Sequence, residues 1–141
     1  MPYIEHRYGK TYYQLRGRAT SRGLPVVCLH GGPGGHSRFM TELFKLSDER
    51  QVFLYDQVGG GRSSATSKRH WSIATFVDEL AILIDAWKLD RFHLFGASWG
   101  TTLALEYLLK RKTGIRSLIF QSPMFSARDW QEDANHLIRK L

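Results

Sequence analysis

The sequence predicts an α/β chain, a mostly parallel sheet flanked by helices. Three observations predict it. Apolar runs of strand length alternate with segments whose apolar residues recur at helical spacing. Two of the runs, VVCLH (26–30) and QVFLYD (51–56), are apolar without alternation, as expected of strands covered on both faces. Three glycine-bearing loops, HGGPGG, DQVGGGRS and GASWG, each follow directly on an apolar run. In a parallel sheet such loops share one edge, the edge at which these sheets bind ligands.

Taken in order, residues 3–8 and 11–18 are short, aromatic-rich and partly alternating around Gly9-Lys10, which reads as a hairpin. Gly23-Leu24-Pro25 breaks the chain before the first buried strand. A helix-like segment runs over 37–46, and the second buried strand follows at 51–56. The stretch QVGGGRSSATSKRH reads as a loop. A longer helix over 72–88 carries Phe76, Leu80, Leu83, Ile84 and Trp87 on one face. RFHLFG (91–96) is a strand, and WGTTLALEYLLKRK is a helix that stops at Gly114. IRSLIF (115–120) is a further strand. Ser126 and Asp129 then have capping-box spacing, and Trp130, Ala134, Leu137, Ile138 and Leu141 share the apolar face of a last helix.

Composition narrows the class. A chain of 141 residues is one domain or part of a larger one. With 43% hydrophobic and 23% charged residues it has the material for a packed core, which argues against disorder. The net charge of +7 is dispersed, and no nucleic-acid motif accompanies it, so it reads as a solvated basic surface. The single cysteine, Cys28, rules out an intramolecular disulfide and sits in a strand as a packed small hydrophobe. No secretory h-region and no long uncharged apolar run are present, so a soluble cytoplasmic protein with no membrane span is expected.

Gly96-Ala97-Ser98-Trp99-Gly100 matches G-x-S-x-G between an apolar strand and an amphipathic helix. In that setting the serine occupies a strained turn, and glycines two residues to either side remove a collision. The helix behind it directs amide N–H groups toward a developing negative charge. Acyl transfer needs two such donors at the oxyanion. One is the residue after the nucleophile, Trp99, and the other belongs to a glycine-rich loop after an earlier strand, here HGGPGG. Neither G-x-x-x-x-G-K-[ST] nor G-x-G-x-x-G is present, which removes the nucleotide-binding reading of these loops.

In that order HGGPGG, YDQVGGGRSS and GASWGTTLALEY resemble proline iminopeptidases and related aminopeptidases of the α/β-hydrolase fold, peptidase family S33. LDRFHLFG, SLIFQSP and RDWQEDANHLIRKL are similar to the family as well, so the resemblance runs from about Tyr12 onward. It implies an α/β-hydrolase core over residues 1–122, truncated before its last strands, and the start of a helical cap over 123–141. It implies Ser98 as nucleophile and the N–H groups of Gly32 and Trp99 as the oxyanion hole. Gly31, Pro33 and Gly34 would shape the oxyanion loop, with His30 orienting it, and Gly96 and Gly100 would support the elbow. Asp56, Gln57, Gly59, Gly61, Arg62 and Ser63 would form a neighbouring loop that braces the first. The implied reaction releases an N-terminal proline or other small residue from a peptide or aminoacyl substrate through an acyl-enzyme, with no metal or organic cofactor.

A serine hydroxyl needs a base, and in this fold the chain order is Ser, Asp, His. After Ser98 the chain offers only Asp129, Asp133 and His136, all on one predicted helix, where they read as an exposed face. Upstream, His30 and His36 flank the glycine loop, His93 lies in a strand, and His6 and His70 read as surface positions. The chain therefore reads as the N-terminal half of a hydrolase, inactive by itself. An amidase or esterase of the same fold and a non-catalytic interaction partner stay open as alternatives. A sheet ending at IRSLIF leaves an apolar edge open to association.

Overall fold

A computed structural model describes residues 2–140; Leu141, expected on the apolar face of the last helix, lies outside them. The strands are β1 (Tyr3–His6), β2 (Gly9–Arg16), β3 (Val26–Leu29), β4 (Val52–Tyr55), β5 (Phe92–Ala97) and β6 (Ile115–Gln121). The α-helices are α1 (Ile73–Ala86), α2 (Trp99–Lys110) and α3 (Ala127–Ile138). The six strands form one sheet in the order β1-β2-β4-β3-β5-β6. β1 and β2 are an antiparallel hairpin, β2 joins β4 antiparallel, and β4, β3, β5 and β6 run parallel.

The unbroken apolar runs have a direct explanation. Successive side chains of a strand point to opposite faces, and here both faces are covered. Val27, Leu29, Phe53 and Tyr55 pack with Phe76, Leu80 and Leu83 of α1 and Leu103 of α2. Val26, Cys28, Val52 and Leu54 pack with Met40 and Phe44 on the other side. Each fully buried leucine or phenylalanine among them contributes roughly 1.5–3 kcal/mol relative to exposure. Ser72 caps α1, its Oγ accepting from the Thr75 amide at 3.2 Å.

Four expectations are corrected. The hairpin turns at Arg7-Tyr8, and Gly9 already pairs with His6 in the ladder. That turn carries the Tyr8 hydroxyl to Asp78 on α1, 2.9 Å away. The segment expected as a helix over 37–46 is a 3-10 helix over Ser37–Asp48, and the loop before α1 holds one 3-10 turn, Lys68–His70. His6 is not a surface residue: its side chain is 1% exposed, because β1 lies against α1 and the ring finds a partner in Thr11.

Because β3, β4 and β5 are parallel, the loops after them emerge on one edge of the sheet. α3 carries no buried residue, and Trp130, Leu137 and Ile138 are exposed. No helix is long and apolar enough to cross a membrane among the described residues.

Candidate active site

Ser98 sits between the last residue of β5 and the first of α2, with φ 51° and ψ −120°. A non-glycine residue with this backbone is strained, and it persists only where its surroundings impose it. Two sets of contacts do so. The Ser98 amide donates to Gln121 O at the end of β6, at 3.0 Å. Ser98 O accepts from the Thr101 amide at 2.9 Å and the Thr101 hydroxyl at 2.7 Å. A Cβ on Gly96 would strike the Gly100 backbone, and one on Gly100 would strike Leu29 O, so both glycines of the motif are required by close approach. The Ser98 side chain is left exposed above the sheet.

The glycine loop lies against it. A Cβ placed on Gly31 would be 3.3 Å from Ser98 Cβ and 3.9 Å from Ser98 Oγ. Gly32, Pro33 and Gly34 form the exposed tip of this loop. Trp99 is the first residue of α2, so its amide has no acceptor within the helix. A pocket of about 460 Å³ opens here, lined by Gly31, Gly32, Phe39, Met40, Ser98 and Gln121 among others.

Gln57 is the residue that joins these parts. It is fully buried. Its amide donates to His30 Nε2 at 2.9 Å and its Nε2 to His30 O at 3.0 Å. Its Oε1 accepts from Trp99 Nε1 at 2.9 Å. One side chain thus holds both the start of the glycine loop and the residue after Ser98. An amide N–H can only donate, so His30 Nε2 is unprotonated and Nδ1 carries the proton, donating to Gly31 O at 2.7 Å. Burial lowers the His30 pKa, which keeps the ring neutral in this role. Asp56 holds the other end of the loop. Its Oδ1 accepts from the Ser37 amide and hydroxyl, both at 2.7 Å, and its Oδ2 from the Arg62 amide at 2.8 Å. Gly61 packs against that carboxylate, the Ser63 hydroxyl donates to Asp56 O, and Gly59 lies beside Trp71.

The chain matches a family model described as alpha/beta hydrolase fold over residues 25–140.

The chain belongs to the α/β-hydrolase family.

Within it the chain is proline-iminopeptidase-like. It is 43% identical to a proline iminopeptidase of Heyndrickxia coagulans over 120 residues, 84% of this chain and 42% of that protein. The crystal structure of Mycobacterium smegmatis proline iminopeptidase superimposes with a TM-score of 0.89 at 31% identity, over 99% of this chain and 49% of that one. The VinJ crystal structure does so with a TM-score of 0.90 at 29% identity, over 96% and 47%. The chain spans about half the length of the curated relatives it matches.

In this α/β hydrolase no histidine is hydrogen-bonded to Ser98 among the described residues. His6 bonds Thr11, His70 bonds Thr66 and His93 bonds Ser117. Both ring nitrogens of His30 are engaged. His36 borders the pocket but stacks on Phe39, with ring centroids 4.8 Å apart. His136 lies with Asp129 and Asp133 on the exposed α3, where they form no constellation with Ser98. Among the described residues no group of three or more His, Cys, Asp or Glu could hold a metal ion.

Sequence reasoning missed Gln121 and Ser122, which wall the pocket from the end of β6, and Thr101, which braces Ser98. It also missed Glu79. That residue lies three positions after Phe76 and four before Leu83, on the buried face of α1, and a carboxylate at helical spacing among core residues was the signal available.

Proposed function

We propose that this chain carries the nucleophile half of a serine hydrolase of proline-iminopeptidase type. The observation that supports it is Ser98, held on a strained turn with its side chain exposed beside Gly31. Ser98 Oγ attacks the carbonyl carbon of an N-terminal proline or other small residue. The carbonyl oxygen becomes an oxyanion that accepts from the Trp99 and Gly32 amides. The base takes the Ser98 hydroxyl proton and passes it to the leaving nitrogen as the C–N bond breaks, leaving the acyl-enzyme, which water hydrolyses to release the amino acid. Asp56, Gln57 and His30 hold the two donor segments in register and take no part in the chemistry. The acid and base belong to the part of the relatives' length that this chain does not span. Residues from 123 onward open a helical cap over the pocket. A cytoplasmic location, expected from a sequence with no secretory h-region and no long uncharged apolar run, is part of the same reading.

The same geometry serves an amidase or esterase, so the test separates substrates. This chain is joined to the second half of the Heyndrickxia coagulans enzyme and assayed on prolyl-p-nitroanilide and on alkyl esters. The expected result is prolyl turnover that falls on the order of 10⁶-fold in Ser98→Ala. The chain by itself is expected to show none above background, because no base reaches Ser98. Ester turnover without prolyl turnover defeats the peptidase reading. Turnover that survives Ser98→Ala defeats the nucleophile assignment.

A further inference from the structure

Glu79 lies outside the Ser98 pocket and is fully buried. Charged groups are rarely buried unless something holds them. Its Oε1 accepts from the Val58 amide at 2.9 Å and from the Thr11 hydroxyl. Its Oε2 has no protein partner among the described residues, and neither has the hydroxyl of Tyr55.

The directions of the bonds leading to it can be assigned. The Tyr8 amide can only donate, so His6 Nδ1 accepts it, at 3.2 Å. The His6 proton is then on Nε2, which donates to Thr11 Oγ1 at 2.7 Å. Thr11 has one hydroxyl proton, and it goes to Glu79. A relay from His6 of β1 through Thr11 of β2, and the amide of the loop after β4, thus both end on one carboxylate. The last of them, Val58, directly follows Gln57, the residue that ties His30 to Trp99.

We infer that Glu79 is a positioning residue for the Ser98 site: its carboxylate holds the Val58 amide and, through the adjoining Gln57, sets the placement of the glycine loop at His30 and of the elbow at Trp99. The inference rests on the acyl-transfer reading of that pocket. It also makes the placement depend on pH. Burial pushes the Glu79 carboxyl up to about 7, against the Thr11 and Val58 bonds that lower it. The titratable groups facing it are His6 of β1, 3.9 Å from Oε1, and Tyr55 of β4, with Tyr107 of α2 beyond Tyr55. Asp78, its neighbour on α1, faces Arg7 and Tyr8. Protonation removes the negative charge that holds Val58.

The test uses the ¹⁵N-labelled chain and the indole N–H resonance of Trp99, identified as the one lost in Trp99→Phe. In the wild type this resonance is expected to titrate with a midpoint of about 7. In Glu79→Gln it is expected to stay flat. His6 and His30 are both held below their ordinary value by burial, so their own titration falls at lower pH. Thr11→Val, which removes one donor, is expected to move the midpoint upward, and it carries the test if Glu79→Gln fails to fold. A flat wild-type resonance, an unchanged titration in Glu79→Gln, or an unmoved midpoint in Thr11→Val overturns the inference. None of these readings needs turnover, so a failure of the hydrolase reading shows separately, as missing Ser98-dependent hydrolysis in the joined protein.

Discussion

Strands β3 and β6 flank β5 on its two sides, both parallel to it, and their burial is opposite. Every residue of β3 is buried and none of β6 is. Composition explains only part of this: β6 carries Arg116, Ser117 and Gln121 where VVCL has no polar residue, yet its apolar Ile115, Leu118, Ile119 and Phe120 are not buried either. β3 has β4 as a second neighbour, α2 against one face and the Ser37–Asp48 segment against the other. β6 is last in the strand order, and Ile119 and Phe120 are exposed. Among the apolar residues of the two strands, place in the sheet decides which become core. The candidate site straddles the two: β3 leads into the glycine loop, while the end of β6 supplies Gln121 to the Ser98 amide.

The comparison breaks most sharply in the core. Leu29→Ala is expected to cost about 2–5 kcal/mol in urea unfolding, because a fully buried side chain leaves a cavity. Ile119→Ala on β6 is expected to cost under about 1 kcal/mol. Equal costs would show that β6 is as well covered as β3.

The next effect belongs to pH. Glu79 has a folded pKa of about 7 against 4.5 for the free group. Below 4.5 both the folded and unfolded forms are protonated and it has no effect. As pH rises toward 7, the unfolded chain ionises first and stability falls, by about 3 kcal/mol in all. Glu79→Gln therefore gains on the wild type across that window, and parallel stability profiles for the two would refute it.

Association is the third. The open edge of β6 is proposed as the surface through which the chain self-associates. Replacing Ile119 and Phe120 with lysine is expected to shift it toward monomer in light scattering, and an unchanged mass would exclude this edge.

The smallest effect compares two similar caps. Ser72 Oγ and Ser126 Oγ each accept an amide N–H at 3.2 Å. Ser72→Ala is expected to lower global stability by about 1 kcal/mol. Ser126→Ala is expected to raise amide exchange in α3 and leave the global transition in place, because α3 has no buried residue. A shift of the global midpoint in Ser126→Ala would mean that α3 folds as part of the core.

The order of strands and helices was legible in the sequence because it rests on local periodicity, and so was the elbow, because G-x-S-x-G is a local answer to crowding within five residues. The bridge at Gln57 and the buried carboxylate at Glu79 were not legible. Glu79 meets Thr11 across 68 positions of chain and Gln57 meets Trp99 across 42. His6 was misplaced for the same reason, since a short strand shows its partner only once α1 lies against it.

By itself, then, the sequence determined what short-range sterics and hydrophobic spacing determine: an alternating α/β chain, glycine-bearing loops on one edge, and Ser98 on a tight turn. Tertiary structure alone decided which apolar strand is buried, which tautomer His6 and His30 adopt, and which side chain joins the glycine loop to the elbow. Burial and hydrogen-bond pairing are properties of neighbours, and neighbours distant in sequence exist only after the chain has folded.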